Sequence, residues 1–381
     1  MCETTQPCDL PEQYGPLWAE RLLARPQRLT SDGALSLYGK RVLVTGAGGS
    51  IGSVLAHRAA ALGAYPVFLM DHSESALHSV QLSLWDQGFT QNDHVLLADI
   101  RDAAQMRRVF RKVRPEIVFH AAALKHLSLL ERNACEAVKT NVFGTENLVN
   151  AALESAVGKF VFVSTDKAAD PASILGATKR LAEDVVRTGA QENLTRFASV
   201  RFGNVLGSRG SFLSVLAHQL RRGLPVTVTH QQATRFFMTV TEAVELVVQV
   251  SAEASCGEVY MLEMGAPVRV VHLVERYARL LDLPVPDLRF TGLQPGEKIE
   301  ETVCASDERR EPTGDPLIWR LRLEPVRPDF TARLRDLRSL AQEGREDFLP
   351  QALSELLGTY RPSRTNRDAA VPGPLLTAAE L

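Results

Sequence analysis

Cysteine is scarce in this chain and nowhere clustered. Its five cysteines, Cys2, Cys8, Cys135, Cys256 and Cys304, are an odd number and include no C-x-x-C pair. That excludes a disulfide-stapled scaffold, and without ligand-spaced Cys/His groups no structural metal is expected; free thiols in a reducing compartment are. Long apolar runs are also missing. None approaches the roughly 18 residues that span a bilayer, and the run from Ile117 to Leu124 is interrupted by His120 and has strand length. The first twelve residues lack the apolar centre of a secretory signal. Finally, charge of one sign is lacking. A net charge of −2 argues against nucleic acid or an acidic membrane as partner. The expected location is cytoplasmic.

What is present is an ordinary globular composition, 45% hydrophobic and 23% charged over 381 residues, enough for about two domains or a single enlarged one. Six strand-like runs, 42–44, 67–70, 95–98, 117–121, 160–164 and 198–202, alternate with helical patterns over 51–62, 75–86, 102–113, 134–155 and 175–187. Continuous apolar strands between amphipathic helices predict an α/β fold, a doubly wound parallel sheet of the Rossmann type. Residues 1–38 form a prefix with one short helix near Leu17–Leu23. Residues 39–205, completed by about 231–262, form the dinucleotide-binding domain. Residues 206–230 and 263–345 form a smaller mixed substrate-binding lobe, and 361–381 read as a disordered tail.

The first strand runs into Gly46-Ala47-Gly48-Gly49-Ser50-Ile51-Gly52, a G-x-x-G-x-x-G turn that opens a helix. Glycines there let backbone N–H groups approach a pyrophosphate at the helix N-terminus. Asp71 ends the next strand 19 residues after Gly52. An acid at that position binds ribose hydroxyls and repels a 2′-phosphate, which favours NAD, with NADP the alternative. Asp99 and Ile100 are expected beside the adenine, and the small residues Ala121, Ala122 and Ala123 leave room for the cofactor. The fifth strand ends in Ser164-Thr165-Asp166-Lys167, at the edge where open sheets bind ligands; an acid beside an amine there suits proton transfer. Lys179 stands in a helix four residues after Leu175. In short-chain dehydrogenases a Tyr-x-x-x-Lys pair occupies such a place, so Leu175 removes the usual base.

The runs 45–53, 120–126 (His-Ala-Ala-Ala-Leu-Lys-His), 139–145, 164–168, 200–211, 234–239 and 291–298 (Thr-Gly-Leu-Gln-Pro-Gly-Glu-Lys) resemble the CapD-like polysaccharide-biosynthesis family, nucleotide-sugar 4,6-dehydratases of the extended short-chain dehydrogenase/reductase superfamily. The resemblance covers roughly 25–330. It implies a homo-oligomer acting on a nucleotide sugar, usually UDP-N-acetylglucosamine, by oxidation at C4, loss of water across C5 and C6, and return of the hydride to C6. It also implies roles. Thr165 bonds the C4 hydroxyl, Asp166 assists loss of the C6 hydroxyl and serves as a candidate C4 base, and Lys167 takes the C5 proton with a pKa lowered by burial and Lys179. Lys179 and Asn141 join the cofactor site. Lys125 lies near the nicotinamide and sugar, and Asn204, Arg209, Arg235 and Lys298 are diphosphate candidates. One branch of the family carries Met at the tyrosine position, and Leu175 is similarly apolar. Ser128 and Asp170 depart from the family's Pro and Asn, and the membrane helices of many relatives are not found before the catalytic region. Two alternatives stay open: an epimerase or 5,6-dehydratase of the same superfamily, and a non-catalytic NAD-binding regulator, which Leu175 would suit.

Overall fold

The computed structural model describes residues 17–29, 37–86, 92–192, 194–253, 255, 257–362 and 375–376. A short helix, α1 (Leu17–Leu23), precedes the first strand, as its pattern predicts. The apolar runs become β1 (Val42–Thr45), β2 (Val67–Asp71), β3 (Val95–Leu97), β4 (Ile117–His120), β5 (Lys159–Val163) and β6 (Arg196–Arg201). Every residue of β1 and β4 is buried, so helices must cover both faces. They are α2 (Ser50–Ala61), α3 (Glu74–Trp85), α4 (Ala103–Val113), a short α5 (Leu127–Leu130), α6 (Ala134–Ala137), α7 (Thr145–Glu154) and α8 (Ile174–Ala190). Side-chain N-caps start three of them: Ser73 bonds Ala76 N–H, Asp102 bonds Gln105 N–H, and Ser173 bonds Gly176 N–H. The pattern over 134–155 predicts one helix; the structure splits it with a π-helical segment, Val138–Gly144. There Asn141 turns inward, and its amide bonds both backbone groups of Leu124 and the Thr178 hydroxyl, a local interaction of the kind that accompanies such bulges.

Beyond β6 come β7 (Asn204–Val205), α9 (Phe212–Arg221), β8 (Val226–Val228), β9 (Thr234–Arg235), β10 (Phe237–Met238), α10 (Val240–Glu253), β11 (Glu258–Leu262), β12 (Val268–Arg269), α11 (Val270–Leu280) and β13 (Leu288–Phe290). The main sheet runs β3-β2-β1-β4-β5-β6-β11, all parallel. Its order reverses between β1 and β4, where ligands bind in this class of fold. Phe110, Phe160 and Phe197 fill one face of the sheet, and Leu55, Phe119 and Val247 the other. A smaller core of Leu213, Val226, Leu273, Tyr277 and Leu288 builds the lobe, and Leu22 of α1 belongs to it.

The sequence reading assigns all of 263–345 to that lobe, and the structure corrects this. A hairpin of β14 (Arg309–Pro312) and β15 (Ile318–Arg322) extends the main sheet, antiparallel to β11, and buries Ile318 on one face and Leu321 on the other. Two further helices, α12 (Phe330–Gln342) and α13 (Leu349–Leu357), bury Phe330, Leu334, Leu353 and Leu356 in the core shared with α7 and α8. The tail expected to be disordered, 361–381, lies largely outside the described residues.

Arg201, at the end of β6, has no exposed surface. Its guanidinium bonds both oxygens of Glu183 in α8, at 2.8 and 2.7 Å, and both of Glu308, at 2.7 and 2.9 Å. Removing one partner of a buried ion cluster leaves a desolvated, uncompensated charge. Arg201→Met is therefore expected to cost about 3–5 kcal/mol, read as a lower urea midpoint at unchanged slope; a midpoint equal to wild type would contradict it.

Candidate active site

The turn from β1 into α2 is shaped by close contacts. Gly46 has φ +66°, and a Cβ on it would lie 2.6 Å from the Ala122 backbone; one on Gly52 would lie 2.1 Å from the Gly46 carbonyl oxygen. Glycine is required at both. Gly49 caps α2 without a side-chain bond, so the first N–H groups of the helix have no capping side chain. An uncapped helix start facing a cleft is a ready anion site. Asp71 lies at the end of β2, its carboxylate fixed by Gly48 N–H at 2.9 Å and Ser73 N–H at 3.0 Å. This cradle fits a dinucleotide.

A cleft of about 620 Å³ opens from this turn along the carboxyl ends of the strands. Of the residues singled out from sequence, Gly49, Ser50, Ile51, Gly52, Ala121, Ala123, Lys125, Thr165, Lys167, Lys179, Asn204 and Arg209 line it, as does Leu175. Gly46 and Gly48 form the bend beneath it. Lys125 and Arg209 have no carboxylate partner among the described residues, and burial together with Arg209 pushes the Lys125 ammonium down from its ordinary value. The Arg209 N–H also bonds the Ser50 hydroxyl at 2.9 Å, which lays the 206–211 loop across the start of α2. A second cavity, about 840 Å³, lies at the opposite, amino end of the strands. It holds none of these residues, and its Lys40 and Arg41 are paired with Glu116.

Thr165 and Lys167 face the cleft, with Asp166 fully buried between them. Asp166 Oδ1 accepts from the Thr165 hydroxyl at 2.9 Å and from Lys167 Nζ at 3.0 Å. Its Oδ2 is buried with no hydrogen-bond partner in the protein, so the site holds one open acceptor. Lys167 Nζ also donates to Asn204 Oδ1 at 3.2 Å and lies 3.6 Å from Glu301 Oε1. The two lysines differ from expectation. Burial alone would lower Lys167, but Asp166 and Glu301 outweigh it and hold the ammonium above its ordinary value. Lys179 is the depressed one. Its Nζ donates to the Val163 carbonyl at 2.6 Å and sits 4.0 Å from the centre of the Phe162 ring. Burial pushes its pKa down to about 7, partly opposed by Glu183 one turn along α8. His120 bridges Thr45 and Thr145 at 2.8 and 2.9 Å, and burial with nearby Lys179 pushes it far down, so it stays neutral.

Other predicted residues stand elsewhere. The Asp99 carboxylate is held by the Arg101 guanidinium, at 2.7 Å from Nη2. Ile100 is buried against Gly144, and Ala122 packs under Gly46. Asn141 spends its amide on Leu124 and Thr178 and so shapes the cleft from behind. Arg235 was expected at a diphosphate; its guanidinium instead bonds Glu297 at 2.6 Å and the Ile299 carbonyl at 2.9 Å. Lys298 reaches the Ala169 carbonyl at 3.4 Å. The sequence reading missed Glu183, although its place four residues after Lys179 puts both on one helix face. It also missed Glu301, which carries no local signal.

The profile of a family described as "Polysaccharide biosynthesis protein" matches residues 42–322. The chain is 42% identical over 295 residues to a probable polysaccharide biosynthesis protein EpsC of Bacillus subtilis, a match covering 76% of this chain and 49% of that one, so it spans about half that protein's length. It is 32% identical to a UDP-N-acetylglucosamine 4,6-dehydratase (inverting) of Campylobacter jejuni, covering 71% of this chain and 79% of that protein. Among solved structures, dTDP-glucose 4,6-dehydratase DesIV of Streptomyces venezuelae, with NAD and DAU bound, aligns at TM-score 0.61 and 23% identity over 69% of this chain and 87% of that one; at that identity the likeness concerns fold.

The depressed lysine has a measurable consequence. With a folded pKa of about 7 against an ordinary 10.5, Lys179 is neutral between those values in the folded chain and protonated in the unfolded one. The unfolded state then binds the extra proton, so this group's contribution makes stability rise with pH across that window. The stability of wild type relative to Lys179→Met, from urea unfolding, should increase across it; a difference that does not change with pH would contradict the assignment.

Proposed function

The chain belongs to the polysaccharide biosynthesis protein family, and on that premise we propose that it is an NAD-dependent nucleotide-sugar 4,6-dehydratase acting on UDP-N-acetylglucosamine. One observation carries this reading: a single cleft has an uncapped, glycine-shaped helix start at one end and the Thr165-Asp166-Lys167 cluster at the other. The Campylobacter relative bears the same activity in its name. Gly46, Gly52 and Asp71 are the residues that would hold the dinucleotide, whose nicotinamide supplies hydride transfer when bound.

The chain's own groups do the rest. Lys125 and Arg209, cations without carboxylate partners among the described residues, take the substrate diphosphate. Thr165 orients the C4 hydroxyl, and the open Asp166 Oδ2 accepts its proton. Leu175 cannot exchange a proton, so the tyrosine's task falls to Asp166, with Lys179 holding the nicotinamide ribose. Once C4 is a ketone, the C5–H is acidic enough to remove. Lys167 first releases its ammonium proton to solvent and then takes the one from C5, while the protonated Asp166 gives the proton from the C4 hydroxyl to the departing C6 hydroxyl, which leaves as water. When the hydride is returned to C6, Lys167 hands its proton back to C5 and regains one from solvent, so both side chains end as they began and one water is lost. A purely NAD-binding regulator would have no use for this cluster.

The test is incubation with a panel of sugar nucleotides and mass spectrometry for loss of one water. Asp166→Asn and Lys167→Ala should each lower turnover by about 100-fold or more while cofactor binding persists. Full activity in both variants, or no dehydrated product from any sugar nucleotide, would contradict the proposal.

A further inference from the structure

Lys167 belongs to the main domain, yet one of the two carboxylates beside it does not. Glu301 lies in the stretch after β13, with its side chain 4% exposed and Oε1 3.6 Å from Lys167 Nζ. Among the described residues Lys167 is its ion-pair partner. A carboxylate so little exposed is held there by its surroundings, because a desolvated charge without a fixed position would not remain buried.

The stretch carrying Glu301 is clamped on both sides. Before it, Thr234 N–H and Arg235 Nη1 both bond the Ile299 carbonyl at 2.9 Å, and Arg235 Nη2 bonds Glu297 at 2.6 Å. Lys298 meets the Ala169 carbonyl, three residues past Asp166. After it, Glu308 is fastened to Arg201 at 2.7 Å and to Arg180 at 2.7 Å. Arg235 and Lys298, expected at the diphosphate, thus serve to seat this segment on the loop that carries Thr165, Asp166 and Lys167.

We propose that Glu301 is a positioning residue of the reaction, supplied by the segment after β13 to fix the Lys167 ammonium between itself, Asp166 and Asn204 and to set when that lysine can act as a base. The inference rests on Lys167 being the C5 base. A lysine takes a proton only when neutral, and Glu301 is one of the groups that oppose this. The other charged groups bearing on Lys167 are Asp166, which acts with Glu301, and Arg235, which acts against both. Arg235 is itself neutralised by Glu297, and the remaining cations of this region, Lys179 and Lys298, are tied to backbone carbonyls.

Removing the Glu301 charge should ease deprotonation of Lys167. In the full-length protein, Glu301→Gln should move the acid limb of the kcat–pH profile to lower pH by about one unit or more, with cofactor binding unchanged. Glu301→Asp keeps the charge but draws it back by one methylene, so its limb should move the same way by less. It also keeps the test open should Glu301→Gln fail to fold. A limb that stays at its wild-type pH in a folded variant overturns the proposal, even if thermal stability falls, because a merely structural carboxylate would lower stability without moving it. Lys167→Ala separates the two levels. If that variant still turns over, the reading of Lys167 fails; if it is inactive while the Glu301 profiles match wild type, only the role of Glu301 fails.

Discussion

An arginine with no contact to solvent ties three separate stretches of chain together beside the cleft. Arg201 leaves β6 beneath the site and is met by Glu183 from α8 and Glu308 from the segment after β13. Glu183 also accepts from the Ser164 hydroxyl at 2.6 Å, one residue before Thr165, and bears on Lys179 one turn away. Three separate stretches of chain therefore meet on one guanidinium. Each buried ion costs several kcal/mol to desolvate, and only a complete set of partners offsets that. The arrangement is all or nothing, and it fixes where the Thr165-Asp166-Lys167 loop sits relative to α8.

The two lysines of the site differ because their immediate surroundings differ. They line the same cleft and are both little exposed, yet burial prevails at Lys179 and carboxylates prevail at Lys167. Lys179 has a carbonyl and an aromatic face for neighbours, which suits a group that holds a ribose and changes charge near neutrality. Lys167 has Asp166 and Glu301, which outweigh burial and hold its ammonium above its ordinary value. Leu175 adds no competing acid or base, so in the proposed reaction the proton transfers to and from the sugar fall to the Asp166–Lys167 pair.

Much of this was readable from residues that act through local geometry. The glycines at 46 and 52, the strand-end Asp71 and the polar trio at the end of β5 owe their places to sequence-local turns and to the parallel-sheet topology, and they stand where their spacing says. Arg235 and Lys298 show the limit. Each is a charged residue in the expected neighbourhood, but what it touches is a carboxylate or carbonyl distant in sequence. No spacing rule reveals such partners. Glu301 and Glu308 escaped notice for the same reason, since their meaning lies in Lys167 and Arg201, more than a hundred residues away. The hairpin of β14 and β15 and the two helices after it were missed because their apolar residues read equally well as part of a separate lobe; only pairing with β11 and packing on α8 decide the matter.

In the proposed reaction one cleft oxidises, dehydrates and reduces a single sugar without releasing it between steps. Substrate carrying deuterium at C4 tests this most directly, with the product analysed by NMR. The expected product is a 4-keto-6-deoxy sugar nucleotide that retains the deuterium in its C6 methyl group. A product whose C6 hydroxyl is intact, or a methyl group without the label, would contradict it.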